Sequence, residues 1–447
     1  MNAIAAIVAA LTVAQVPAGA PPSPSAPPAD LSRLHGMPQV VAMSLSEALA
    51  EIDRQNPSLE EARARAAAAL GVVRQAAAPL LPTLQAGGGY FHNSAEAVFL
   101  RPVTPTTFQP IYIQPLDAWQ GSAGLRVPLV VPDAWFSLSA SRDAALAAAS
   151  AADATRLSVR MALQQTAWAA WAGDEMVAAA ERAVANAKEQ AESARRQVNV
   201  GTAAPLTVLQ ADTAATRRES DLVQARSDRS RARIAVGVLL GRPDPVVIAM
   251  PPLPGPSAYD VEDLSRQALD ARPEIRAQAA MVSSYEKQAS AALWRIAPQI
   301  SASGSGTAQT VAYPTGDKQG WRVSVDLTWT LYDGGFRYGK ADQASAQARE
   351  ARAAETGTRL QILQEVQNAA RDVEVARQRL GLAQQEKDTA SEAAASARRG
   401  FKEGLTSSLD VLSANELLFQ SELQVANAAA RLGGSVAALD RAVGRSP

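Results

Sequence analysis

Residues 396–412 read SARRGFKEGLTSSLDVL, and residues 193–209 read SARRQVNVGTAAPLTVL. The two stretches share the SARR motif, one glycine (Gly201 or Gly404) and a closing Val-Leu pair, at a constant spacing of 203 residues. A second pair of matching motifs, NPSL at 56–59 and RPEI at 272–275, lies upstream. The chain is therefore an internal duplication of one long unit. In each copy the glycine interrupts a long helical pattern, so we predict that both stretches are the tips of helical hairpins.

The duplication divides the 447 residues into two halves. We expect repeat 1 at residues 44–241 and repeat 2 at 260–444, each with a helix, two strands and a long helical hairpin. The Pro-rich connector 242–259 joins them at mid-height. Residues 1–20 hold an apolar run followed by small residues, which is typical of a signal peptide, and 21–43 form a Pro-rich linker. A disordered N-terminus is the alternative for the first 20 residues.

Composition excludes several classes of function. Lys plus Arg is 43 and Asp plus Glu is 44, so no net field exists to attract nucleic acid. The absence of cysteine excludes disulfides, thiolate metal sites and lipid attachment through an N-terminal cysteine. His35 and His92 have no partner at ligand spacing, and no catalytic constellation is visible. We therefore expect no metal, no cofactor and no enzyme activity.

Four segments are predicted to be strands, two in each half. They are residues 84–91, 119–131, 300–308 and 321–331, and a Pro-rich loop is expected at 92–117. The last segment alternates strictly between apolar and polar residues, which is a strong strand signal. Trp321 and Trp329 are eight residues apart, roughly 26 Å at strand rise, which is about the height of the apolar band of an outer-membrane barrel. A half-buried strand of a soluble sheet is the alternative.

The longest features are two proline-free segments, 133–200 and 333–403. About 68 helical residues would extend roughly 100 Å, a length typical of coiled coils and helical tubes. A heptad seam rich in alanine runs along the second segment, at Ile362, Val366, Ala369, Val373, Ala376, Leu380 and Ala383. The returning arms, 205–241 and 409–444, are about half as long. We expect 44–80 and 261–296 to supply the missing halves, stacked end to end with these arms.

Four strands cannot close a barrel, and open sheet edges are not tolerated in lipid. If the strands lie in a membrane, several copies of the chain must contribute to one barrel.

These motifs, in this order and repeated twice, resemble the TolC-type outer membrane efflux protein family. The resemblance covers about residues 44–444 and rests on NP-x-[LI], the LP before the first strand, VPD or YDGG after the second, and the G-x4-L-x-V-L tip. It implies a mixed, mainly α fold in which a homotrimer forms a twelve-stranded barrel and a twelve-helix tube. It also implies an exit duct in the outer membrane of a Gram-negative bacterium, extending into the periplasm. A periplasmic adaptor and an inner-membrane pump are the implied partners.

The resemblance also assigns roles to residues of the tips and strands. The turns implied to dock the adaptor contain Gly201, Thr202, Leu206, Gly404, Leu405 and Leu409. At the periplasmic gate, Asp410 matches an aspartate that rings the closed end, and Phe401 fits an aromatic position. Thr406 stands where the family can carry an arginine, which puts a salt-bridge lock in doubt. The membrane rims are assigned to Trp119, Trp321 and Trp329.

Simpler interpretations stand beside these roles. The tip residues can be plain helix-turn residues, and Asp410 can be an aspartate favoured by the helix dipole. A non-transporting coiled-coil scaffold or adaptor is the alternative function, but it has no use for the alternating strand. The exported substrate, whether a drug-like small molecule or a polypeptide, is not specified by the sequence.

Overall fold

The computed structural model describes residues 41–253, 255, 259–312 and 317–445. The predicted signal peptide 1–20, most of the predicted linker 21–43 and part of the predicted connector 242–259 lie outside the described residues. The described helices are α1 (Leu45–Gln55), α2 (Pro57–Ala77), α3 (Pro132–Asn199), α4 (Pro205–Leu239), α5 (Val261–Ala271), α6 (Pro273–Trp294), α7 (Phe336–Lys402) and α8 (Ser408–Val443). The described strands are β1 (Val41–Ser44), β2 (Thr83–His92), β3 (Ala97–Thr104), β4 (Thr107–Gln114), β5 (Asp117–Val130), β6 (Val246–Ala249), β7 (Gln299–Gln309) and β8 (Gln319–Thr328). The fold is mixed and mainly α.

Short-range capping sets where the shorter helices begin. Asn56 caps α2 by accepting a hydrogen bond from the Leu59 N–H, and Pro57 occupies the first helical position. In the second repeat Pro273 takes the same place after Arg272, whose side chain makes no cap. The NPSL and RPEI motifs are therefore equivalent helix starts, as the duplication predicts.

The two long helices have nearly the predicted bounds. Helix α3 has 68 residues and α7 has 67. All seven residues of the predicted heptad seam on α7 are buried, and they pack in one cluster with α8 and with the α5–α6 segment. Alanine is frequent in this seam because the helices lie close together.

The helices and strands share one lateral order. Helices α2 and α4 pack on one side of α3, α6 and α8 pack between α3 and α7, and α7 lies at the far edge. The main sheet has the order β2-β5-β7-β8, antiparallel throughout. Each strand is joined in the chain to the helix that holds the same position in this lateral order. The sheet and the helical layer therefore end at the same two edges. Each edge lacks a neighbour within the described part of the chain.

The loop predicted at 92–117 is wrong. The structure has a second β-hairpin there, made of β3 and β4. Pro102 and Pro110 hid it from the sequence pattern, because proline argues against a central strand. In a two-stranded ribbon both strands are edges, so each proline is tolerated.

The predicted strand 321–331 and helix 333–403 meet differently from expected. Strand β8 ends at Thr328, and α7 begins at Phe336. The buried Arg337 guanidinium donates to the Thr330 and Leu331 carbonyls at 3.0 and 2.8 Å, which takes them out of the strand ladder. Gly334 and Gly335 then have φ of 68° and 87°, which glycine adopts at little cost.

The linker and the connector also contain structure that the sequence did not indicate. Strand β1 pairs in parallel with β6, so the end of the linker joins the connector. Val246 and Ile248 of β6 are buried beside Ile52, Leu163 and other core residues. Strands of four residues, 200 positions apart, leave too little periodic signal to be predicted.

Candidate functional site

Both hairpin tips turn on a glycine in the left-handed region. Gly201 has φ of 78° and Gly404 has φ of 75°. The Thr202 N–H donates to the Gln197 carbonyl at 2.9 Å, and the Leu405 N–H donates to the Gly400 carbonyl at 2.7 Å. These bonds close the last turn of α3 and of α7, as in a Schellman motif. The two tips are thus the same turn built twice.

The tips present apolar side chains to solvent. Leu405 is 77% exposed, and Leu206 and Leu409 are each 61% exposed. Thr202 is different, because its hydroxyl bonds back to the Gln197 carbonyl at 3.0 Å. The exposed leucines offer contact area for a partner, whereas Thr202 stabilises the turn.

The three predicted gate residues have separate local contacts. Asp410 belongs to a capping box, accepting from the Ser407 N–H at 2.9 Å and from its hydroxyl at 2.7 Å. Thr406 donates to the Ala397 carbonyl at 3.0 Å, and Phe401 is buried. Hydrogen bonds from the Ser407 hydroxyl and backbone lower the pKa of Asp410. In a single chain, the observed role of Asp410 is that of a helix cap.

Close to the tips, side-chain contacts that the sequence did not predict join the two hairpins. The buried Arg218 of α4 forms an ion pair with Glu416 of α8 and lies over the Phe419 ring, 4.7 Å from its centroid. Arg398 of α7 donates to the Asn186 side chain of α3 at 3.2 Å. A groove of about 650 Å³ lies beside these contacts. Nothing local in the sequence marks them, since the partners are about 200 residues apart.

The main sheet has one apolar face and one polar face. The register places Ala123, Gly306 and Trp321 in one cross-strand row, so Trp119 and Trp321 share a face. On that face every second residue of β8 is apolar and largely exposed, namely Trp321 at 82%, Val323 at 71%, Val325 at 70% and Leu327 at 63%. Trp329 follows directly after the strand and is 57% exposed.

The opposite face carries a hydrogen-bonded polar network. Ser303 and Ser324 bond to each other at 2.8 Å, and both reach Asp326. Arg126 donates to Ser301 at 3.3 Å. An exposed apolar face with tryptophan near both ends and a polar face behind it are typical of a membrane β-barrel with a wet interior.

Among the described residues, none of the helices is both long and apolar enough to cross a membrane. The described residues also contain no group of three or more potential metal ligands.

The fold and the strand faces define the class of the protein: a membrane channel whose small β-domain continues into a long helical tube. The model of the family described as outer membrane efflux protein matches residues 48–242 and 264–445. The chain belongs to the outer membrane efflux protein family, which is a family of channels and not of enzymes. It is an outer-membrane exit duct that extends into the periplasm.

Several solved structures have the same fold as this chain. The outer-membrane channel OprN is 21% identical, with a TM-score of 0.72 over 90% of each chain. VceC from Vibrio cholerae is 20% identical, with a TM-score of 0.73 over 90% of this chain and 96% of that one. The CmeC channel of Campylobacter jejuni is 16% identical, with a TM-score of 0.74 over 90% and 85%. Among curated protein sequences, none matches this chain. The alternative of a non-transporting scaffold is not favoured.

Proposed function

We propose that three copies of this chain form the duct, so that twelve strands and twelve helices close into a barrel and a tube. The main support for this proposal is that the sheet and the helical layer end without a neighbour at the same two edges. Unpaired strand edges are not stable in lipid, so the edge at β2 must meet β8 of another copy. Exposed apolar side chains on the edge helices support this closure, including Leu70 and Val223 on one edge and Leu360 and Leu382 on the other.

The tips are proposed to dock a periplasmic adaptor that connects the duct to an inner-membrane pump. Their exposed leucines and paired glycine turns support this role. The substrate is a small molecule or a secreted polypeptide chosen by the pump, and the duct itself carries out no chemistry. The proposed homotrimer places three Asp410 carboxylates around the axis at the narrow end, with Phe401 and Thr406 behind them.

The docking role is tested with Gly404→Val in a strain that depends on this duct for export. A β-branched residue with φ near 75° is strained by roughly 1–2 kcal/mol, although no heavy atom lies within 4 Å of the position a Cβ would take. We expect export to fall at least tenfold while a heat-modifiable trimer persists in detergent. The matched control is Gly381→Val, at a helical glycine that also has open space around it. Unchanged export in the Gly404→Val strain removes the docking role from the tip, and an unmodified protein that runs as a monomer without heat-modifiable migration removes the proposed trimer.

A further inference from the structure

A collar of exposed aromatic side chains surrounds the point where strands become helices. It consists of Trp135, Trp294, Phe336 and Tyr338, which are between 48% and 65% exposed. The Trp329 indole donates to the Ile296 carbonyl at 3.0 Å, which ties the end of α6 to a residue that continues the apolar row of β8. This contact brings the end of the collar that holds Trp294 close to the apolar face of the sheet, where the strands give way to the helices. Aromatic side chains favour the rim of a membrane because one part of the ring system meets hydrocarbon and the other meets water.

One part of the collar is a shallow cleft that is largely open to its surroundings. Leu129, Pro132, Trp135, Phe136 and Trp294 line a cavity of about 430 Å³. The Phe136 and Trp294 rings stack with centroids 5.8 Å apart and form one wall. The size lies within the usual range of about 300–1,000 Å³ for small-molecule sites. Because the lining is apolar, the matching ligand group is a hydrocarbon chain.

Two cations lie over one aromatic ring of the collar. The Arg295 guanidinium and the Lys340 ammonium both lie over the exposed Phe336 ring, 5.7 and 5.9 Å from its centroid. Arg295 directly follows Trp294 of the cleft wall, and its nearest carboxylate, Asp133, is 3.8 Å from Nε. Lys340 has a long contact of 3.4 Å to the Gln343 amide oxygen. Arg295 therefore keeps only a long ion pair with Asp133, and Lys340 has no carboxylate partner among the described residues, so both can still meet an anionic ligand.

We propose that this junction binds an anionic glycerophospholipid of the periplasmic leaflet, with an acyl chain in the cleft and the phosphate between Arg295 and Lys340. Apolar lining and paired cations at one height match the two halves of such a lipid. The proposal rests on the outer-membrane location of the chain and not on the export role. Bound lipid would fix the depth of the barrel and join α3, α6 and α7 at the start of the tube.

The test uses the purified full-length protein in mild detergent, titrated with phosphatidylglycerol or phosphatidylcholine and read by native mass spectrometry. Each basic side chain near an anionic lipid contributes roughly a fivefold factor in affinity, so Arg295→Gln with Lys340→Gln should weaken phosphatidylglycerol binding about 30-fold. Phosphatidylcholine binding should fall much less in this double variant, because the choline cation offsets the charge of its phosphate. Trp135→Ser removes an exposed ring from the cleft and should weaken both lipids.

The matched control is Arg65→Gln with Arg231→Gln, two cations on the tube that are each 75% exposed. This control should bind both lipids as the unmodified protein does. An equal loss in the control, or an unchanged phosphatidylglycerol affinity in the Arg295/Lys340 variant, overturns the proposal. Export assayed in the same strains reports on the duct separately, because lipid binding is measured without a pump or substrate.

Discussion

Asp53 of α1 lies between two arginines of α3 and fixes how the first helix packs on the long one. Arg156 and Arg160 each donate from Nε to one of its oxygens, at 3.0 and 3.1 Å, and from Nη2 to the other. Burial alone would raise the pKa of Asp53, but hydrogen bonds and charges from the two arginines outweigh it and lower the pKa to about 2. The charged form is thus favoured in the folded state.

A lowered pKa means that the ion pair stabilises the fold above about pH 4 and is lost as the pH falls towards 2. We expect Asp53→Asn to lower the free energy of unfolding by about 1–2 kcal/mol at pH 7, a discounted value because Arg156 is partly exposed to water. The difference from the unmodified protein should shrink between about pH 4 and pH 2. Thermal unfolding followed by circular dichroism measures it. Asp228→Asn, in an exposed pair with Arg231, is the control and should change little. A pH-independent difference would contradict the assignment.

Asp410 carries the second prediction at the residue scale. Within each chain, hydrogen bonds from Ser407 lower the pKa of Asp410. In a proposed ring of three carboxylates, mutual repulsion acts in the opposite direction and raises the apparent pKa of the set. Such a ring selects cations, so Asp410→Ala should weaken cation selectivity and block by multivalent cations in planar bilayers. Ser407→Ala is the control, because it removes the cap and keeps the carboxylate. Identical conductance, selectivity and block in Asp410→Ala would leave Asp410 as a helix cap alone.

The residues that sequence could assign are those with a local cause. A glycine that interrupts a helical pattern predicts a left-handed turn, and both Gly201 and Gly404 confirm it. Arg218 and Arg398 could not be predicted, because their partners come from the other repeat and only packing brings them together. The gate, docking and rim roles remain predictions.

At the scale of elements, Gly433 leaves the space that the Trp168 indole fills between α8 and α3. A Cβ on this residue of α8 would lie 2.2 Å from the Trp168 indole of α3, whereas a Cβ on Gly434 would meet only the Gln165 side chain at 3.6 Å. Trp168 is itself buried and packs edge-on against Trp171. The two repeats therefore meet here without room for another methyl group.

These neighbouring glycines give a matched pair of variants. Gly433→Ala should destabilise the chain by about 1–3 kcal/mol, because overpacking forces the indole or the backbone to move. Gly434→Ala should be neutral or stabilising by up to about 1 kcal/mol, since alanine is the better helix former. Thermal unfolding of the two variants at equal concentration compares them. Equal melting temperatures would mean that α3 and α8 are not held at this distance.

Elements with a long period were predictable, and short or interrupted ones were not. The heptad seam identified the buried face of α7, because seven positions between Ile362 and Ala383 repeat the same signal, and the long proline-free segment identified the helix itself. The β3–β4 hairpin was missed because prolines break its alternation, and β1–β6 because its pairing is distant in sequence. In both cases tertiary pairing, not local propensity, decides the structure.

In the whole molecule, exposed apolar residues on the edge helices are the candidates for closing the duct. Val223 on α4 is 69% exposed, and Leu382 and Leu360 on α7 are 66% and 63% exposed. From the helix bounds, Val223 and Leu382 lie roughly 27 and 30 Å from the tip ends of their helices, and Leu360 roughly 63 Å. If the α4 edge meets the α7 edge of another copy, only the first two residues are at matching heights.

The chain has no cysteine, so introduced thiols report on this contact without background. We expect the double variant Val223→Cys with Leu382→Cys, treated in native membranes with a short bismaleimide, to give covalent dimers and trimers on denaturing gels. Each single variant should give none, because one thiol per copy cannot bridge the two different edges. Val223→Cys with Leu360→Cys is the mismatched control and should stay monomeric on the gel, since about 36 Å of tube separates its thiols. Equal yields from the matched and mismatched pairs would show that the two edges do not meet in this register. The closed trimer would then have to be rebuilt from another contact.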